Sequence, residues 1–291
     1  MRIIFIIVKF IRFIFNFPLL IIIKIGSIYS HLLKFLDVRN HDTFWEENLQ
    51  KEVDKKKSKK IFLDKKKFIR FYTPTLVSAY RAKYFFTNEP DTLEWLDKNG
   101  GKKKILYDIG ANMGIYSLYY SKKFNSTSYV FEPSFMNLDL IQNNLKLNNL
   151  EKKVVIVPNA TYSKTAISKL YQLRRVAGDA VTTLNNNKVF KNMLDRSPAT
   201  NNSPSINQVL GLSIDYLVKN KISKKPDLIK IDVDGNEIEV LKGCKDTLRD
   251  NKKISILIEL RKDTYNPAKI FLEKNGFKFV SKMRNNYIWE K

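Results

Sequence analysis

Two short stretches hold the residue types that could do chemistry. The first is Tyr107-Asp108-Ile109-Gly110-Ala111-Asn112-Met113-Gly114, where an apolar run ends and a helical pattern begins. In an open α/β sheet, ligands sit beyond the carboxyl ends of the strands, and small residues in the first turn let a ligand approach the backbone. Gly110 and Gly114 supply that room. A dinucleotide site would show Gly-x-Gly-x-x-Gly with a pyrophosphate on the helix N-terminus. The spacing here is Gly-x-x-x-Gly, and Asp108 places a carboxylate near where phosphates would lie. A ligand carrying an ammonium and a sulfonium favours that charge, and S-adenosylmethionine is such a ligand. Glu132, twenty-four residues after Asp108, closes the next apolar run, where an acid can accept two hydrogen bonds from a ribose diol. An acid at that point suits either cofactor. Read structurally, Asp108 caps the following helix and Glu132 pairs with a surface lysine. Their places at successive strand ends favour a shared pocket.

The second stretch is Lys230-Ile231-Asp232-Val233-Asp234-Gly235-Asn236-Glu237, at the end of a later apolar run. Side chains alternate along a strand, so Lys230, Asp232 and Asp234 are expected on one side and Ile231 and Val233 on the other. Charged groups in a buried strand need a reason. An active-site mouth is one, because low-dielectric surroundings raise a carboxylate toward the range of a useful base. A Lys-Asp pair with a helix-capping acid is the structural alternative. Glu259, ending the following strand at the same edge, adds a further carboxylate.

The elements that must position these residues follow from periodicity. Strands are expected at 105–109, 128–131, 154–157, 228–233 and 254–260, and helices at 113–123, 134–147, 237–249 and 267–275. Such alternation argues for an α/β fold with a mostly parallel sheet covered on both faces. The last runs, 277–281 and 287–289, are expected to pair as an antiparallel edge. Asp91 reads as the N-cap of a short helix that stops at Asn99-Gly100-Gly101, and the glycine pair reads as a domain boundary. The polar stretch 184–208 interrupts the rhythm and reads as a long loop, either a lid over substrate or a plain insertion.

Residues 1–36 are strongly apolar, but their longest charge-free run, 13–23, is short for a spanning helix. On a helical wheel Arg2, Lys9, Arg12 and Asn16 fall within a fan of roughly 80°, the pattern of a helix lying in a membrane interface. A signal anchor, a cleaved signal peptide and a helix packed on the protein itself are the competing readings. The basic extension 37–103 holds lysine runs at 55–60 and 65–67, which are either simply solvated or placed to meet anionic headgroups.

With 291 residues, 44% of them hydrophobic, the chain can bury a full core. Its one cysteine, Cys244, allows no intrachain disulfide, and two histidines provide no Cys/His metal cluster. The net charge of +23 fits a polyanionic partner or a chain-wide residue bias equally well.

At these residues the chain resembles the FkbM family of methyltransferases, over 87–259. The resemblance lies in Glu89-Pro90, the block from Asp108 to Gly114, Phe131-Glu132-Pro133, Asn143 to Asn148, Leu212-Ser213-Ile214-Asp215, and the block from Ile229 to Glu237. It implies a Rossmann-like class I methyltransferase domain over 104–291. In that domain Asp108, Gly110, Asn112 and Glu132 would line the S-adenosylmethionine pocket, Asn159 and Ala160 would lie near the adenine, and Asp232 near the methyl group. The chain departs from the family pattern at Asp234, where glutamate is common, and in its apolar, lysine-rich N-terminus. Family members mostly methylate hydroxyls of sugars, glycolipids or natural products.

The expected reaction is therefore methyl transfer to a hydroxyl of a small-molecule or glycan acceptor, with alignment of the reactants as the main contribution. Asp232 is the first choice of base, with Asp234, Glu237 or Glu259 next, and Lys230 would tune Asp232 or stabilise an alkoxide. No metal is expected. An RNA methyltransferase is the rival within the same chemistry; the sequence lacks the Asn/Asp-Pro-Pro-aromatic element, and its acidic 232–235 segment would repel a phosphate backbone. A non-catalytic membrane-surface adaptor is the rival from another class. The expected location is cytoplasmic and peripheral to a membrane, through residues 1–70.

Overall fold

The computed structural model describes residues 57–180, 182–196 and 204–291, together with Ile21, Lys24, Ile25 and Ile28. The chain divides into two compact units, Met1–Lys57 and Ser58–Lys291. In the first, the four described residues near the N-terminus are helical and exposed. The expectation of an interfacial helix over 1–36 otherwise lies outside the described residues. Among the described residues no helix is long and apolar enough to cross a membrane.

The second unit opens with an antiparallel hairpin, β1 (Ser58–Phe62) and β2 (Phe68–Tyr72), and three helices, α1 (Leu76–Lys83), α2 (Phe85–Asn88) and α3 (Pro90–Asn99). Strand and helix then alternate through β3 (Leu106–Ile109), α4 (Ile115–Phe124), β4 (Ser128–Phe131), α5 (Phe135–Asn148) and β5 (Val154–Val157). An inserted segment follows, with β6 (Ala160–Thr161), β7 (Ala166–Gln172), β8 (Thr182–Leu184), α6 (Asn187–Arg196), β9 (Ser205–Leu212) and α7 (Ile214–Lys219). The chain closes with β10 (Leu228–Ile231), α8 (Glu237–Gly243), α9 (Lys245–Arg249), β11 (Ser255–Glu259), α10 (Lys262–Lys274), β12 (Lys278–Met283) and β13 (Asn286–Glu290).

The main sheet runs in the order β12-β13-β11-β10-β3-β4-β5, and β13 alone is antiparallel to its neighbours. This is a doubly wound, Rossmann-like sheet with one reversed strand near its edge, as the sequence pattern predicts. Every residue of β3, β4 and β10 is buried. Alternation sends Leu106, Val130 and Leu228 into one core, and Tyr107, Ile109, Phe131, Ile229 and Ile231 into the other. The strand order reverses between β3 and β10, so a crevice opens at their carboxyl ends. The inserted strands form a second sheet, β6-β9-β7-β8.

Several expectations are corrected. Gly100-Gly101 is no boundary, because Phe71 of β2, Phe85 of α2 and Trp95 of α3 share a buried cluster with Leu106, Leu118 and Leu140. Trp95 also donates its indole N–H to Ser255 Oγ at 2.8 Å. The compact unit thus begins at Ser58 and includes much of the stretch expected as an extension over 37–103. The expected loop 184–208 contains α6 and the start of β9; the Asn185-Asn186-Asn187 run leads into the helix, which polar composition alone does not separate from a loop. Asp91 does not cap α3. Glu89 holds the N-cap position with Pro90 next, and Asp91 is buried, accepting from Asn286 Nδ2 at 2.7 Å. The helix expected over 237–249 is broken at Cys244 into α8 and α9.

Candidate active site

At the crevice the turn after β3 is folded tightly against the one after β10. Gly110, Asn112 and Gly114 all have positive φ, and Gly110 and Ala111 donate their N–H groups to the Phe131 carbonyl at 3.0 and 3.2 Å. Gly110 is at φ +82°, and a Cβ there would overlap the Asp232 carbonyl oxygen. Only glycine fits this approach. Gly114 stands at the N-cap of α4 and lines neither of the two clefts described below.

Two clefts meet here. The larger, about 690 Å³ with its open mouth, is lined by Gly110, Asn112 and Glu132 from the sheet edge, and by Ala160, Leu170 and Leu184 from the inserted sheet. The smaller, about 430 Å³, lies between the core and the helices α1 to α3. Arg81, Gly110, Asn112 and Asp232 line both.

Glu132 is buried on the wall of the larger cleft, and burial pushes it up to about 7 against its backbone hydrogen bonds. Its Oε2 accepts from the Asn112 N–H at 2.8 Å and its Oε1 from the Ser134 N–H at 2.9 Å. The Asn137 side chain bonds the same carboxylate, which leaves one of its four acceptor sites for a ligand hydroxyl. Asp108 departs from expectation. It is 0% exposed, accepts from Ser117 Oγ at 2.8 Å, and lines neither cleft. Burial raises its carboxyl despite Lys230, its register partner on β10, and its Oδ1 has no partner among the described residues. Asp108 is thus a buried carboxyl beside Lys230, lining neither cleft.

Beyond Ile231 strand geometry ends, so Lys230, Asp232 and Asp234 do not form the row expected. Lys230 faces the smaller cleft, Asp234 the larger, and Asp232 both. Lys230 Nζ is 2.9 Å from Asp232 Oδ2 and 5.1 Å from the Tyr116 ring centroid. Burial opposes its charge, but Asp232, Glu89 and Asp108 together outweigh that and hold the ammonium above its ordinary value. Asp232 lies deep below the surface yet keeps 31% of its side chain accessible, because the clefts reach it. Burial would raise Asp232, but Lys230 and a hydrogen bond from Glu259 hold it below the usual range. Glu259 is pushed up to about 8 by burial and by Asp232. At neutral pH Asp232 is the ionised member and Glu259 carries the proton. Asp234, at φ +47°, is pushed up to about 7 by burial and by Asp232.

Two candidates turn away from the clefts. Glu237 accepts from the Gly235 N–H at 2.7 Å and caps its own turn. Asn159 is on the surface, with Nδ2 3.4 Å from the Leu210 carbonyl, while its neighbour Ala160 does line the larger cleft. Glu259 lines neither cleft and is hydrogen-bonded to Asp232. Residues that sequence reasoning missed are Arg81, Asn137 and Asp179. The Asp179 carbonyl accepts from Asn112 Nδ2 at 2.9 Å and Asn137 Nδ2 at 3.2 Å, closing the inserted segment over the cleft. Arg81 donates Nε–H to the Gly178 carbonyl at 2.7 Å. Nothing in local spacing marks these residues, because their role is set by elements distant in the chain. Among the described residues no group of three or more His, Cys, Asp or Glu is placed to hold a metal ion.

The methyltransferase FkbM domain model matches residues 108–283, more than half of the chain. The chain belongs to the FkbM methyltransferase family. Hexuronic acid methyltransferase AglP of Haloferax volcanii is 24% identical, over 75% of this chain and 81% of its own length. Methyltransferase sdnD of Sordaria araneosa is 24% identical, over 70% of this chain and 89% of its own. The solved methyltransferase FkbM from Methylobacillus flagellatus KT is similar at 14% identity and a TM-score of 0.44, over 74% of this chain and 54% of that one. In this FkbM-family chain the family match begins at Asp108, so α1 to α3, which carry Arg81 and Glu89, precede it.

Proposed function

We propose that this FkbM-family methyltransferase uses S-adenosylmethionine to methylate a hydroxyl of a sugar or related small molecule. The carboxyl groups of the larger cleft carry the reading. Glu132, Asp232 and Asp234 line it, and the carboxylate of a fourth acid, Asp179, is held by Arg174 at 2.6 and 3.1 Å. Among the described residues Arg81 is the basic side chain on that wall. With Glu132 and Asp234 pushed up to about 7 and Asp232 paired with Lys230, such a cleft is rich in carboxyl oxygens that can bond the hydroxyls and ammonium of a nucleoside, and it offers a pyrophosphate little cationic cradle beyond Arg81. The residues also fit the cofactor by shape: Gly110 leaves its floor open, Glu132 has acceptor capacity for the ribose, and Ala160, Leu170 and Leu184 offer an apolar wall to the adenine.

When bound, the cofactor would supply an electrophilic methyl group for transfer to an acceptor oxygen. Asp232 stands where both clefts meet and receives the acceptor's proton. Lys230 keeps Asp232 ionised before the reaction and opposes the build-up of negative charge around it. Arg81, Gly110 and Asn112 form the common wall that aligns the two reactants. The name of the Haloferax volcanii relative supports a sugar acceptor. Calorimetric titration with S-adenosylhomocysteine tests the cofactor, and incubation with methyl-labelled S-adenosylmethionine and fractionated cell material tests the acceptor. Label entering glycan or glycolipid is expected; label entering RNA alone would overturn the acceptor assignment.

A further inference from the structure

We propose that the smaller cleft is the acceptor site, that it receives the hydroxyl-bearing ring of a sugar, and that Glu89 hydrogen-bonds this ring and decides which hydroxyl meets Asp232. The proposal deepens the methyltransferase reading and rests on it. Position is the first argument. The smaller cleft shares Asp232 and Gly110 with the larger, so an oxygen at their junction touches the base and faces the cofactor side together.

The chemistry of the walls is the second. Phe85, Ile115 and the Tyr116 ring give apolar surface, and Glu89 and Asp232 give hydrogen-bond acceptors. A pyranose ring presents the same alternation, with C–H faces against apolar groups and hydroxyls toward carboxylates. A protonated amine acceptor would meet the Lys230 ammonium already fixed at 2.9 Å from Asp232, with Arg81 on the same wall.

Glu89, in the Glu89-Pro90 pair of the family resemblance, is built into this wall from ahead of residues 108–283, which the domain model matches. It occupies the N-cap position of α3, its Oε2 accepts from Thr92 Oγ1 at 3.1 Å, and its carboxylate also bonds the Tyr116 hydroxyl. Those two bonds fix the carboxylate and leave lone pairs for a ligand hydroxyl. Glu89 lines only the smaller cleft, so its substitution separates acceptor binding from cofactor binding.

The test is saturation-transfer NMR on the full chain saturated with S-adenosylhomocysteine, using methyl glycosides of neutral hexoses in one arm and of hexuronic acids in the other. At least one glycoside is expected to bind, with its signal reduced fivefold or more in Glu89→Ala and less in Glu89→Gln. The S-adenosylhomocysteine Kd is expected to stay within twofold in both. Asn88→Trp, which obstructs the cleft from its rim, is expected to abolish the sugar signal and covers the case in which a Glu89 variant misfolds. A wild type that binds S-adenosylhomocysteine but no glycoside overturns the proposal, as does an undiminished sugar signal in folded Glu89→Ala. Failure of wild type to bind S-adenosylhomocysteine overturns the cofactor reading and this proposal with it.

Discussion

Asp232 and Glu132 hold opposite electrostatic positions, and their variants should behave differently. In Asp232→Asn the amide oxygen can still accept from Lys230, so the chain should fold and bind S-adenosylhomocysteine. The proposed base is lost, however, and kcat should fall by about 10²- to 10⁴-fold in a labelled-methyl transfer assay. Burial lifts Glu132 from 4.5 to about 7. The native state therefore holds that proton more tightly than the unfolded chain. Its contribution to stability is complete below about 4.5 and disappears as pH rises through about 7. Thermal melts of the ligand-free protein should show Tm falling between pH 5.5 and pH 8, and Glu132→Gln should flatten that slope. The same ionisation favours a bound diol, so S-adenosylhomocysteine should bind more tightly at pH 8 than at pH 6, and less steeply so in the variant.

Among the elements, the turn after β3 is set by contact rather than by propensity. Gly110→Ala places a Cβ against the Asp232 carbonyl at a backbone angle that itself costs about 1–2 kcal/mol for an L-residue. Destabilisation well above that figure is expected by urea unfolding, together with loss of S-adenosylhomocysteine binding, because the two turns must separate. A second device lies at β2. Asn148 accepts from the Arg70 N–H at 2.8 Å and donates to the Arg70 carbonyl at 2.7 Å, while Asn144 accepts from the Tyr72 N–H at 2.6 Å. Two side chains of α5 thereby replace a missing neighbouring strand. They tie the N-terminal hairpin to the core, and α1 to α3, which follow it, wall the smaller cleft.

For the whole molecule, the charge of +23 is distributed unevenly. Acids outnumber bases on the larger cleft, whereas the β1–β2 hairpin exposes Lys60, Lys65, Lys66 and Lys67. If residues 1–70 hold the protein on an anionic bilayer, it should float with phosphatidylserine vesicles. Recovery should fall as salt rises from 50 to 500 mM, since such attraction is screened. Deleting residues 1–36 should lower that recovery sharply; unchanged recovery would remove the N-terminal segment from any membrane role.

The sequence by itself determined the sheet. Strands buried on both faces read as continuous apolar runs, and the 3.6-residue period marks α4 and α5, so the alternation from β3 to β5 and from β10 to β13 was legible, as were Gly110, Glu132 and Asp232 at strand ends. Three things were decided only by tertiary structure. Asp108 and Glu237 have the right residue type at strand ends but turn into the protein, because Ser117, Lys230 and the Gly235 N–H offer them partners that no local pattern records. The sheet β6-β9-β7-β8 pairs short strands across an insertion, which leaves little periodicity to read. The wall formed by Arg81 and Glu89 joins the site from helices that precede residues 108–283. Local period reports which face of an element is buried; which distant groups meet across a cleft depends on how those faces pack.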